Sequence, residues 1–167
     1  MKEFDHPPAA ASLMESMRSL GYSAGTALAD IVDNSISAEA TEVQILFSPL
    51  GIPYVAILDN GSGMRPGEFD EAMRHGSQNP KEVRDPKDLG RFGLGLKTAS
   101  LSQCRKLTVL TKRDGVVSGR CWDMDLINKR NTWVLLTLEA EDIEAVPNQA
   151  LLLSGRHGTL VLWQGLD

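Results

Sequence analysis

The stretch Asp30-Ile31-Val32-Asp33-Asn34-Ser35-Ile36-Ser37-Ala38 sets a carboxylate and an amide four residues apart, so that on a helix Asp30 and Asn34 share one face. Ser23 can cap that helix, which runs to about Ser37, and Ala27, Leu28, Ile31, Val32 and Ser35 offer an inner face. Asp33 lies about 100° around the helix from Asn34 and points elsewhere. Alone, such a pattern is more often a solvated surface helix. Yet this segment is rich in apolar residues, which makes it a buried helix, where Asp and Asn are costly without a task. An amide oxygen suits Mg²⁺, a hard cation that keeps several waters, and a carboxylate one turn earlier can orient or deprotonate an attacking water.

Three further stretches extend the theme. Asp59-Asn60-Gly61-Ser62-Gly63-Met64 follows the apolar strand Tyr54 to Leu58. A carboxylate at a strand end can accept a hydrogen bond from an exocyclic amine such as that of adenine, and glycines allow close backbone approach to a flat base, although Asp-Asn-Gly is also ordinary turn chemistry. Gly90-Arg91-Phe92-Gly93-Leu94-Gly95-Leu96-Lys97-Thr98-Ala99-Ser100 is a glycine-rich run opening into a helix, where backbone N–H groups and the Lys97 charge can meet an anion and Thr98 or Ser100 can add a hydroxyl. Its spacing is neither that of the P-loop nor that of the dinucleotide fingerprint. Gly158-Thr159 opens a last apolar strand and can bring a hydroxyl beside Asp59. Each stretch is weak by itself; in this order they describe a nucleotide site.

The remainder of the chain frames these stretches. Its 167 residues suffice for one domain with a real core. A 42% hydrophobic and 23% charged composition is that of a globular protein, and a net charge of −5 argues against a nucleic-acid-binding surface on the domain itself. Cys104 and Cys121 have no metal-ligand spacing and read as buried, reduced thiols. No apolar run is long enough for a membrane helix and the start lacks a signal-peptide core, so a cytoplasmic location is expected. Periodicity predicts a helix over Ala9 to Leu20 with Leu13, Met14, Met17 and Leu20 inward, a strand over Val43 to Phe47, and a helix from Pro66 through Met73. Strands are expected over Leu107 to Thr111, Val116 to Trp122 and Trp133 to Leu138, a meander joined at Asp114-Gly115 and near Asn128 to Asn131. Glu139 to Leu153 reads as an irregular connection with a short helical turn, and Thr159 to Trp163 as the final strand. Trp122, Trp133 and Trp163 are expected in packing and His157 in a structural role, while His75, Arg84, Lys87 and Arg91 read equally as solvated charges or phosphate contacts.

With the four stretches in order, the chain resembles the GHKL superfamily of ATPases, which includes gyrase B subunits, heat-shock chaperones, MutL proteins, sensor histidine kinases and MORC ATPases. The resemblance covers about residues 9 to 165, and the run from Gly95 looks most like the MORC and MutL side. It implies an α/β two-layer sandwich, the Bergerat ATP-binding fold, with a mixed, largely antiparallel sheet under helices. It implies ATP and Mg²⁺ as ligands, Asp30 as general base, Asn34 as metal ligand, and Asp59 with Thr159 at the adenine. Gly61, Gly63 and Met64 join the nucleotide contacts, and Gly93, Leu94, Gly95 and Lys97 the phosphate contacts. It further implies a lid over about 76–92, from which Ser77 and Asn79 contact the nucleotide. Two positions depart from the pattern: Asp30 replaces the usual glutamate, and Ser37 the usual aspartate before Ala38.

The implied activity is slow Mg²⁺-dependent hydrolysis of ATP to ADP and phosphate, coupled to lid closure and ATP-dependent homodimerisation, by a single domain over residues 1–167 that is the N-terminal part of a longer protein with further partners. Two alternatives stand beside it: a nucleotide-gated interaction module with little turnover, and a protein kinase, which the absence of an upstream histidine-bearing helix pair disfavours.

Overall fold

The computed structural model of the chain describes residues 3–4, 6, 8–19, 22–74 and 95–166. Among these residues seven helices and six strands follow in the order α1 (Ala10–Arg18), α2 (Ala24–Ser37), β1 (Val43–Ser48), β2 (Tyr54–Asp59), α3 (Pro66–Met73), α4 (Gly95–Leu101), β3 (Cys104–Arg113), β4 (Val116–Asp123), α5 (Met124–Arg130), β5 (Leu135–Thr137), α6 (Ala140–Glu144), α7 (Gln149–Ser154) and β6 (Gly158–Leu166). The strands form one sheet in the order β1-β2-β6-β3-β4-β5, with every pairing among the described residues antiparallel. The α/β architecture expected from the sequence is the one observed.

Two tight hairpins hold the halves of the sheet. β3 and β4 are joined by Asp114-Gly115, both at positive φ (52° and 78°), the backbone a type I′ turn demands and the reason this dipeptide marks a hairpin. β1 and β2 pair without interruption from Val43↔Asp59 to Ser48↔Tyr54. The last strand, β6, enters between these halves and pairs with β2 on one side and β3 on the other. Leu160, Val161, Leu162 and Trp163 are consequently all buried, because a central strand covered on both faces has no solvent side to alternate towards.

Strand periodicity then sorts the core. Val55, Ile57, Leu107, Val109, Val161 and Trp163 face one side, where Ala10 and Met14 of α1, Ala27 and Ile31 of α2, Phe69 and Met73 of α3, Ala99 and Leu101 of α4 and Met124 and Ile127 of α5 cover them. Ala56, Leu58, Leu110, Leu160 and Leu162 face the other side against Val146 and Leu152. α6 and α7 thus add a small layer on the back of the sheet. The sequence of this stretch suggests only an irregular connection with a short helical turn, because each helix is a single turn or so, too short for a period to show.

Other boundaries shift for local reasons. In α1 Ala10 and Met14 are buried and Met17 packs partly buried against the same core, as expected, while Leu13 is exposed; Leu20 lies outside the described residues. The turn expected near Asn128 to Asn131 is instead the end of α5. Asp123 caps that helix by accepting from the N–H groups of Asp125 and Leu126, and Asn131 stops it in the left-handed region. The strand expected over Trp133 to Leu138 shrinks to β5, which meets β4 only across Arg120 to Trp122. Trp122 and Trp163 are buried, and Trp133 packs edge-on against Trp122 at 6.4 Å between ring centroids. Cys104 and Cys121 are buried, and no described helix is long and apolar enough to cross a membrane.

Leu160, fully buried in the central strand, is the sharpest probe of this arrangement. Leu160→Ala is expected to cost about 2–5 kcal/mol in denaturant unfolding. A loss below about 1 kcal/mol would place β6 at an edge rather than in the centre.

Candidate functional site

The helix-covered face of the sheet ends in a polar row. Asp59, Thr159 and Thr111 are aligned by register across β2, β6 and β3, directly beyond the apolar row Ile57, Val161, Val109. Asp59 is only 9% exposed, yet its carboxylate is well supplied with donors. Oδ1 accepts the Gly61 N–H at 2.9 Å and the Thr159 N–H at 3.1 Å, and Oδ2 accepts the Ser35 hydroxyl of α2 at 2.9 Å. Ser35 also lies 3.2 Å from the Ile31 carbonyl, but its single proton favours the nearer, charged acceptor. Burial raises the Asp59 pKa above the ordinary carboxylate value; the Gly61, Ser35 and Thr159 hydrogen bonds and the charge of His157 pull it partway back.

The turn after Asp59 is pinned from several sides. Asn60 Oδ1 accepts the N–H groups of Thr41 and Glu42, the Ser62 N–H reaches the Ala38 carbonyl at the end of α2, and the Met64 N–H reaches Thr111 Oγ1 at 2.9 Å. Gly63 has φ +64°, and a Cβ there would sit 2.1 Å from the Lys112 carbonyl oxygen. Gly158 is equally constrained, since a Cβ would sit 2.1 Å from the Asp59 carbonyl oxygen. Both glycines are therefore required by neighbouring backbone. His157 Nδ1 is hydrogen-bonded to the Gly61 carbonyl, the structural role expected of it.

The second half of the site lies further back along α2. Ser23 accepts the Thr26 N–H as the expected cap. Ala27, Ile31 and Ser35 form the buried stripe, Asp30 and Asn34 lie half-buried at its rim, and Asp33 is exposed. α2 packs along α4, and Asp30 Oδ2 comes within 3.8 Å of where a Cβ on Gly95 would be. Burial and the nearby Asp30 charge raise the Tyr22 phenol pKa. One helix therefore carries both ends of the site: Asp30 beside Gly95, and Ser35 on Asp59, about 7–8 Å apart along the axis at 1.5 Å per residue.

Lys97, expected at the phosphates, is engaged within the protein. It is 1% exposed, and its ammonium donates to the Ala72 and Arg74 carbonyls at 2.7 Å each. Trp122 Nε1 donates to the carbonyl between them, Met73, at 3.0 Å. Three successive carbonyls at the end of α3, which the helix itself leaves without partners, are satisfied from β4 and α4. Burial lowers the Lys97 pKa to about 8, opposed by Glu71. Thr98 and Ser100 are buried and their hydroxyls make no hydrogen bond among the described residues. Ser77, Asn79, Gly93, Leu94, the 76–92 segment and the charged residues His75, Arg84, Lys87 and Arg91 lie outside the described residues.

Ser35 and Thr111 are site residues that motif reading missed. A lone hydroxyl in the apolar stripe Ala27, Ile31, Ser35 was the available signal for the first. Thr111 had none, because only the β3–β6 register brings it to Thr159.

The donor set fits a nucleotide. An ionised carboxylate has about four acceptor positions and Asp59 uses three, leaving room for one more donor at a strand end. No group of three or more His, Cys, Asp or Glu able to hold a metal occurs among the described residues. A cation here would therefore rely on few protein ligands, as Mg²⁺ does when phosphates and waters complete its shell.

Comparison with known proteins agrees with this geometry. Residues 22–159 match the family model described as histidine kinase-, DNA gyrase B- and HSP90-like ATPase. The DNA mismatch repair protein MutL of Neisseria meningitidis serogroup C is 32% identical over 90 residues, 53% of this chain and 14% of that protein. The DNA mismatch repair protein PMS1 of Saccharomyces cerevisiae is 32% identical over 88 residues, 52% of this chain and 10% of that protein. The ATPase MORC2B of Mus musculus is 30% identical over 96 residues, 55% of this chain and 9% of that protein. The matched part is thus a small fraction of each relative's length.

The raised Asp59 pKa has a consequence for stability. A carboxyl easier to protonate in the folded than in the unfolded chain contributes stability below its unfolded pKa and loses it as pH rises through the folded value. At neutral pH the ionised Asp59 is a stability cost. Asp59→Asn, which can accept the same two N–H groups and donate to Ser35, is expected to raise the urea midpoint at pH 7. That advantage should vanish in acid, and an equal gain at both pH values would assign it to something other than ionisation.

Proposed function

This chain belongs to the histidine kinase-, DNA gyrase B- and HSP90-like ATPase family, and from that premise we propose that it binds ATP with Mg²⁺ and hydrolyses it slowly to ADP and phosphate. The observation that carries the reading is Asp59: a buried carboxylate at a strand end, held by Ser35, Gly61 and Thr159, with one acceptor position to spare. The exocyclic amine of adenine supplies the missing donor, with the Thr159 hydroxyl beside it and the Gly61 to Met64 turn lining the base. Guanine carries a carbonyl at that position and would meet an acceptor with an acceptor.

The phosphates then run along α2 towards Gly95, where Asp30 lies. The Asn34 side-chain oxygen serves as the protein's ligand to Mg²⁺, which when bound neutralises phosphate charge. Asp30 orients the attacking water through one of its oxygens and can take its proton as the water oxygen bonds to the γ-phosphorus and the bond to the ADP oxygen breaks. Such transfers depend more on positioning and electrostatics than on early proton removal, so an aspartate one methylene shorter than glutamate still serves, at reduced rate. Lys97 supports this end indirectly, by tying α4 to α3; Ser77, Gly93 and Leu94 complete the phosphate contacts in this reading. Nucleotide-dependent dimerisation, lid closure and a cytoplasmic location belong to the same proposal.

A nucleotide-gated interaction module is the second reading. It is favoured by the engagement of Lys97 with α3, which takes a cation away from the phosphates, and by the short reach of Asp30. Mass measured with ATP and with a non-hydrolysable analogue separates the two: dimer formed equally by both, without turnover, favours the module.

Calorimetric titration with ATP, ADP and GTP in Mg²⁺ tests the site. Binding is expected to be adenine-selective, to disappear in Asp59→Asn, and to weaken on acidification from a pH above the ordinary carboxylate range, since only ionised Asp59 offers the acceptor. Guanine binding equal to adenine binding would exclude Asp59 as the base reader. Asp30→Ala is expected to abolish turnover and leave ATP affinity within about threefold; unchanged turnover removes Asp30 from the mechanism.

A further inference from the structure

We propose that Thr111 is a positioning residue of the base subsite, its hydroxyl holding the Met64 end of the base-lining turn against the start of β6. This role rests on the adenine reading of Asp59 and deepens it. Thr111 is fully buried near the end of β3, in the polar row that continues from Asp59 through Thr159. Its Oγ1 accepts the Met64 N–H at 2.9 Å. Its one proton has two acceptors within reach, the Gly158 carbonyl at 3.3 Å and Thr159 Oγ1 at 3.4 Å. Those two contacts are long, so the Met64 bond is the firm one. A single oxygen therefore touches both pieces of chain assigned to the base, the turn after β2 and the start of β6.

Other ties between this segment and the end of β3 are charged and reach solvent. Arg65 pairs with Asp114 at 3.1 Å, both side chains more than half exposed, and Arg113 pairs with Glu68 at 3.1 Å. Exposed pairs of this kind contribute little and are screened by salt. Thr111 supplies an uncharged tie out of reach of water, beside the base rather than on the rim. A hydroxyl suits that place, because it takes the Met64 N–H on a lone pair and keeps a proton to give. A base nitrogen that draws the Thr159 proton leaves Thr159 Oγ1 free to accept that of Thr111, so the two hydroxyls act in line. A bond that merely stabilises the turn would shift the melting temperature and leave the affinity of the folded protein alone. A positioning bond shifts affinity, and by the same factor for every nucleotide that shares the base.

The test is calorimetric titration of the whole chain with ATP and with ADP in Mg²⁺, at a temperature well below the melting transition of each variant. Thr111→Val keeps the shape of the side chain and removes the hydroxyl. It is expected to weaken ATP and ADP alike, on the order of 10-fold, the scale of one lost hydrogen bond. Thr111→Ser, which returns the hydroxyl, is expected to restore both. Should Thr111→Val not fold, Thr111→Cys carries the same test, since its thiol is only a weak acceptor and donor, and it should weaken both nucleotides in the same way. Undiminished affinity in the folded variant, a loss confined to ATP, which would place the effect at the phosphates, or no recovery in Thr111→Ser each overturns the proposal. GTP bound by the wild type as tightly as ATP, or no ATP binding at all, instead sinks Asp59 as the base reader, and Thr111 with it. Adenine-selective wild type beside an undiminished Thr111→Val sinks only the role of Thr111.

Discussion

A buried carboxylate with donors from three separate parts of the chain organises this molecule. Asp59 takes Ser35 from a helix laid down before it, Gly61 from its own turn, and Thr159 from a strand one hundred residues later. The Gly61 bond is local, but the Ser35 bond cannot form until α2 lies across the sheet, nor the Thr159 bond until β6 has entered beside β2. The carboxylate is therefore both the base reader of the proposed site and a lock on its architecture. Leaving such a group in the interior unpaired would be prohibitive, and the surrounding donors offset only part of the cost of its charge. The raised pKa is the residue of that imbalance.

Much of this was legible beforehand because the local signals agree with the global fold. Ser23 as cap, Pro66 at the start of α3 and Asp114-Gly115 as a type I′ turn are each dictated by one or two residues, and the structure uses all of them as written. The rim pair Asp30 and Asn34 could be read from helical period alone. What could not be read is what depends on register or on a partner distant in sequence. Thr111 joins the polar row only because β3 pairs with β6. Short elements such as α5, α6 and α7 carry too few apolar positions to declare a period. Lys97 shows a different difficulty: after a glycine run a lysine suggests an anion, but α3 ends with carbonyls that need donors, and the ammonium answers those.

The engagement of Lys97 also joins the halves of the site mechanically. α3 ends at Met73 and α4 begins at Gly95, and the contacts of Lys97 with Ala72 and Arg74 hold these two points together. Through Gly95 the same helix abuts Asp30, and through α2 Asp30 shares a rigid rod with Ser35 and so with Asp59. A change at one end of that rod cannot be wholly local.

The position of β6 bears on how the chain comes to be folded. During synthesis β2 is complete at Asp59, whereas its partner Thr159 appears one hundred residues later. At about 5–20 residues per second, that is about 5–20 s in which the apolar inner edge of β2 has no strand beside it. The β3–β4 hairpin can close locally, but it too presents an open edge, that of β3, until β6 arrives. The two halves of the sheet are thus adhesive surfaces waiting for the same late segment, and any other strand offered in that interval competes for the place. Nascent-chain association, more than the stability of the finished fold, sets the risk of aggregation for such a topology.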